Sequence, residues 1–94
     1  MLTFLVTFRC FPGKREEFLD TLIKEGIVEA CRAESGNSRY DYYLPVDSGD
    51  DLLLIEQWKD ADAVSTHARQ VHMHRMIELK SGYVTDIIME KYET

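Results

Sequence analysis

The chain of 94 residues has two cysteines, two prolines and one tryptophan. No apolar run approaches the ~20 residues of a membrane span. Cys10 and Cys31 lie far apart and match no zinc-ligand spacing. Buried thiols in a reducing compartment are therefore expected, with a Cys10–Cys31 disulfide as the alternative. Basic residues are in short supply: 11 Lys and Arg stand against 17 Asp and Glu, a net charge of −6. Nucleic acid and anionic membranes both recruit clustered Lys and Arg to replace counterions, so neither is expected as a partner. The apolar stretch Met1–Phe8 lacks a basic flank and a small-residue cleavage site, so no signal peptide is expected and a cytoplasmic location is. No glycine spacing matches a dinucleotide or phosphate loop, and neither Gly-x-Ser-x-Gly nor His-Glu-x-x-His occurs. Asp47, Asp50 and Asp51 hint at calcium. A calcium loop beginning at Asp47 needs an acid at its twelfth position, which is Trp58, so a solvated acidic turn is the simpler reading.

What is present has an ordinary globular balance, with 45% hydrophobic and 30% charged residues. The length suits one domain over residues 1–94. Leu2–Phe11 alternates as a strand and stops at Pro12-Gly13. Lys14–Glu34 then changes to helical period, with Phe18, Leu19, Leu22, Ile23, Ile27, Ala30 and Cys31 on one stripe. Gly26 interrupts it and marks a bend, and Gly36 reads as a left-handed cap. Ser38–Leu44 and Leu52–Trp58 form a hairpin around the turn residues of 45–51. Asp60 can cap a helix over Ala61–Lys80 that is broken near Arg69-Gln70 and stopped by Gly82. Val84–Tyr92 is the last strand.

The order β-α-β-β-α-β predicts an α+β fold of the ferredoxin-like kind, with helices on one face of an antiparallel sheet. Leu52-Leu53-Leu54-Ile55 and Ile87-Ile88-Met89 are apolar on both faces, and Leu5 and Phe11 extend that second face. Helices cover only one side, so the other is expected to find a partner, most economically a second copy in a homodimer.

Three histidines, His67, His72 and His74, lie close together. On one continuous helix no pair has the i, i+4 spacing that converges on a metal, so no metal site is expected. His67 shares an apolar stripe with Ala63, Val64 and Val71 and should face the sheet. It is either a hydrogen-bonded core residue or a proton-transfer group. Glu56 shares a strand face with Leu52, Leu54 and Trp58. A carboxylate there is either paired, with Arg39 or Arg75, or functional as a substrate-binding residue. Trp58 is core or a flat pocket wall, and the phenol of Tyr40 could donate to a substrate oxygen.

Together, Glu34-Ser35-Gly36-Asn37-Ser38-Arg39-Tyr40, Leu54-Ile55-Glu56-Gln57-Trp58-Lys59-Asp60, His67 and His72 resemble the antibiotic biosynthesis monooxygenase family. Its members are small dimeric α+β barrels and include quinol monooxygenases. The resemblance implies two sheets packed face to face, and a pocket between each sheet and its own helices. It implies oxidation of phenols, quinols or anthrone-like aromatics by O₂ with no cofactor. His67 or His72 would be the base, Asn37 and Tyr40 would hold the oxyanion, and Trp58 would wall the ring. A haem-degrading branch carries an Asn on the first strand, and none stands near Val6-Thr7. An isomerase or signal-molecule-processing enzyme on the same scaffold, and a non-catalytic binding module, are the competing expectations.

Overall fold

The computed structural model describes residues 1–94 throughout. The elements run β1 (Leu2–Cys10), α1 (Arg15–Lys24), α2 (Ile27–Arg32), β2 (Asn37–Tyr43), β3 (Asp51–Trp58), α3 (Ala61–Ala68), α4 (Val71–Tyr83) and β4 (Val84–Glu93). The four strands form one sheet in the order β2-β3-β1-β4, with every neighbouring pair antiparallel. This is the expected ferredoxin-like α+β topology. No helix is long and apolar enough to cross a membrane.

The register separates the two faces of the sheet. Phe4 stands opposite Glu56, Val6 opposite Leu54 and Leu2 opposite Trp58, while Tyr40 in turn stands opposite Glu56. These residues share the side that the helices cover, because directly opposed residues in an antiparallel pair project the same way. Phe4, Val6, Phe8, Leu52, Leu54 and Trp58 are buried there with Phe18, Leu22 and Ile27 from the helices. Burying each such side chain contributes roughly 1.5–3 kcal/mol. The rings of Phe8 and Phe18 meet edge to face at 5.8 Å, tying β1 to α1.

Both expected helices are broken, and the breaks re-phase their faces. Gly26 adopts φ 74°, ends the first segment and starts α2. Only a residue without Cβ takes that conformation cheaply. The apolar stripe consequently does not run through. Ile23 is exposed, whereas Val28 is buried beside Ile27 and Cys31. The second break falls at Arg69-Gln70 as expected, and Gln70 resets the chain to an extended conformation before α4. Val71 therefore leaves the stripe assigned to it and is 82% exposed. Gly82 does not stop α4, which continues one residue further to Tyr83.

Gly36 is not a left-handed cap, since only Gly13 and Gly26 have positive φ. It is a contact point: a Cβ on Gly36 would lie 2.4 Å from the Cβ of Ala63. The missing side chain lets the α2–β2 loop sit directly on α3. The acidic turn also has a structural use. Asp50 accepts from the Gly13 amide at 3.0 Å, and Arg15 reaches the Ser48 carbonyl at 2.6 Å. Cys10 and Cys31 are both free and buried.

Candidate active site

A cavity of about 250 Å³ lies between the covered face of the sheet and helices α3 and α4. Phe4, Val6, Phe8 and Leu54 make its floor, Met73, Met76 and Ile77 its roof, and Ile87 and Met89 of β4 its open side. Its polar groups are few: Tyr40, Glu56, His67 and, at the rim, Lys80. An apolar hollow with a small number of convergent polar groups suits a small, largely apolar ligand.

His67 is buried at the end of α3 and is held from three sides. Its Nδ1 lies 2.6 Å from Glu34 Oε2. The same oxygen lies 2.9 Å from Nε2 of His72 on α4. A carboxylate accepts, so both rings donate to it, His67 from Nδ1 and His72 from Nε2. That leaves Nε2 of His67 as the lone-pair nitrogen on a residue that lines the cavity. The Trp58 ring lies against the imidazole at 4.3 Å between centroids, and Tyr40 meets it edge-on at 6.1 Å. An imidazole fixed by a carboxylate on one nitrogen and bare on the other has its tautomer set and can accept a proton at the free nitrogen.

Glu56 has neither Arg39 nor Arg75 as a partner. Arg39 is bound to Asp41 and Tyr43, and Arg75 to Glu25. The Trp58 indole N–H donates to Glu56 Oε1 at 2.6 Å instead. Burial pushes the Glu56 carboxyl above its ordinary range, and the indole hydrogen bond and nearby His67 only partly offset this. Burial likewise raises the phenols of Tyr40 and Tyr42, whose hydroxyls are 3.5 Å apart. The Cys31 thiol, fully buried behind Glu34, is pushed up to about 12, again chiefly by burial.

The structure thus brings Tyr40, Glu56 and His67 to one cavity, with Trp58 directly behind His67. It does not bring all the expected residues there. His72 reaches the far side of Glu34 and is not a cavity-lining residue. Asn37 is engaged elsewhere: its Nδ2 donates to the carbonyls of Arg39 and Gln57, stapling the irregular start of the β2–β3 pairing. Glu34, the hub of the site, was not singled out by sequence reasoning. Only its place at the head of the Glu34–Tyr40 segment pointed to it.

Known proteins carry the same features. The family model described as antibiotic biosynthesis monooxygenase matches residues 1–79. The chain belongs to this family. The matched part spans the α2–β2 loop, both strands of the hairpin, α3 and most of α4, so every polar group of the cavity except Lys80 falls inside it. Among curated proteins, "Putative monooxygenase YcnE" of Bacillus subtilis (strain 168) is 35% identical over 66 residues, covering 70% of this chain and 67% of that protein. PA3566 from Pseudomonas aeruginosa superposes with a TM-score of 0.88 at 25% identity, covering 99% of this chain and 92% of its own. The "Putative antibiotic biosynthesis monooxygenase" from Nitrosomonas europaea superposes equally well, at 0.88. At 19% identity, covering 100% of this chain and 98% of that one, it attests the fold alone. Membership of the family and the likeness to YcnE support a monooxygenase-like function.

Proposed function

We infer that the protein oxidises a small aromatic hydroxyl compound (a quinol, phenol or anthrone-like substrate) with O₂ and without a cofactor. The observation that carries this reading is the Glu34–His67 hydrogen bond, which occupies Nδ1 and leaves the lone pair on Nε2 of a histidine that lines an apolar cavity. His67 Nε2 takes the hydroxyl proton, and Glu34 stabilises the resulting imidazolium through Nδ1–H. The substrate anion gives one electron to O₂. The radical and superoxide combine into a peroxide at ring carbon, and loss of water leaves a carbonyl. One oxygen atom ends in the product and the other in water, so no external reductant is consumed. Glu56, kept toward its neutral form by burial, can donate from Oε2 to the substrate oxygen as charge develops there. Tyr40 and the apolar floor position the ring.

Oxygen-electrode measurements on chelator-treated protein with quinols, catechols and anthrones test the reading. The expected result is consumption of one O₂ per product for at least one class. His67→Ala should lower turnover by roughly 10²–10⁴, the usual worth of a general base. Turnover without oxygen uptake would replace this reading with an isomerase. An unchanged rate in folded His67→Ala would remove the assigned base.

A further inference from the structure

Four side chains behind the cavity wall could do more than orient a base. Cys31 Sγ, a carboxylate oxygen of Glu34 and one nitrogen each of His67 and His72 all lie within 4.8 Å of one another. They arrive from α2, the α2–β2 loop, α3 and α4, so no local sequence spacing announces them. The side chains of His67, Glu34 and His72 are 8%, 12% and 18% exposed, and Cys31 is fully buried. We propose that Cys31, Glu34, His67 and His72 form a four-coordinate site for one thiophilic divalent transition-metal ion of the zinc type.

The donor set selects the ion class. One sulfur, one oxygen and two imidazole nitrogens suit zinc and its neighbours, whereas calcium and magnesium require more oxygens. A thiolate and a carboxylate also balance a dication, so the loaded site is neutral in its buried setting. The geometry lies close to what is needed. Metal–ligand distances of 2.0–2.3 Å imply donor separations of about 3.3–3.8 Å around a tetrahedron. The Glu34 contacts at 2.6 and 2.9 Å must open by about 0.4–0.7 Å, and the widest separation must close by about 1 Å.

Loading the site changes the cavity. The nitrogen of His67 that faces Glu34 is Nδ1, so a metal there leaves the proton on Nε2. The cavity then meets a donor where it had a base, and the ion acts as an inhibitor. This consequence rests on the role proposed for His67; the metal site itself does not.

The test is titration of chelator-treated protein with Co²⁺, followed by displacement with Zn²⁺. One Co²⁺ should bind per chain, with the intense visible bands of a tetrahedral site and a thiolate-to-cobalt charge-transfer band in the near ultraviolet. Cys31→Ser should abolish the charge-transfer band, and Cys10→Ser should leave it unchanged. His72→Gln should weaken binding by at least about tenfold, since lesser changes around metal ligands already cost that much. Circular dichroism checks that each variant folds, and Cys31→Ala replaces the serine variant if that one does not. Absence of saturable binding at micromolar cobalt, or a charge-transfer band that survives in folded Cys31 variants, overturns the site. Zinc should also suppress oxygen uptake. Stoichiometric binding with undiminished turnover would reject the role of His67 while keeping the metal site. An active protein that binds no cobalt would do the reverse.

Discussion

Glu56 has one hydrogen bond, from a tryptophan, where a buried carboxylate usually has two or three or a cation. Its raised pKa follows from burial first, and it has a consequence for stability. A carboxyl whose folded pKa lies above its unfolded value holds its proton longer in the native state. Stability is therefore greatest below the unfolded pKa and falls as pH rises through the ordinary carboxylate range up to the folded value. Glutamine keeps an acceptor for the Trp58 indole but cannot ionise. Glu56→Gln should accordingly gain stability relative to the parent as pH rises from about 4 to 8, with the gap closing at the acidic end. Urea denaturation of both proteins across that range measures it, and a gap that widens toward acid would show the wrong sign for this carboxyl. The alternation of Leu52, Leu54, Glu56 and Trp58 was enough to place Glu56 among apolar neighbours. Its partner was not legible, because an i, i+2 contact between an indole and a carboxylate on one strand face depends on rotamers.

Elements decide which residues meet. The helical periodicity of Lys14–Glu34 and Ala61–Lys80 located the helices, but a single phase carried through each misplaced Ile23 and Val71. The break at Arg69-Gln70 is what allows His67 and His72, poorly spaced on one helix, to converge on Glu34 from two. That convergence is tertiary, so sequence spacing alone argued against it. Gly36 holds the arrangement together. With a Cβ it would press on Ala63, a methyl group with no rotamer to yield, and the loop bearing Glu34 would be pushed off α3. Gly36→Ala should cost about 1–3 kcal/mol, the range for overpacking a tight contact. It should also reduce turnover in the fraction that remains folded. Adding Ala63→Gly should restore much of both, apart from the ~1 kcal/mol a helical glycine costs. Denaturation midpoints and initial rates on the single and double variants measure this coupling. Strict additivity would show that the contact does not set the loop position.

The molecule as a whole leaves one side of its sheet uncovered. Leu5 stands opposite Ile55, Thr7 opposite both Leu53 and Ile88, and Thr3 opposite Tyr92, all on the face away from the helices. Tyr43 pairs with Leu53 on the same face. Ile88, Tyr43 and Tyr92 are exposed in the single chain, and Leu5, Leu53 and Ile55 are only partly covered. Scattered exposed apolar residues need no explanation, but Tyr43, Leu53 and Ile88 in one row across the four strands, with Thr7 between them and Leu5 and Ile55 beside them, do. The same edge matters to the site, because Ile87 and Met89 of β4 form the open side of the cavity and Met89 is 59% exposed. We propose that a second copy packs its sheet against this face, which would bury the row and steady β4 beside the cavity. The expected solution species is then twice the 11.0 kDa chain mass. Leu53→Lys places an ammonium at the centre of the row, where pairing two copies would bury two like charges without partners. It should shift the protein to monomer at micromolar concentration while leaving the helix-covered core intact. Light scattering reads the mass, and circular dichroism shows whether the fold survives. Oxygen uptake shows whether the steadied strand matters, with turnover falling in step with the dimer. A parent protein that scatters as a monomer would sink the proposal, as would a Leu53→Lys variant that stays dimeric.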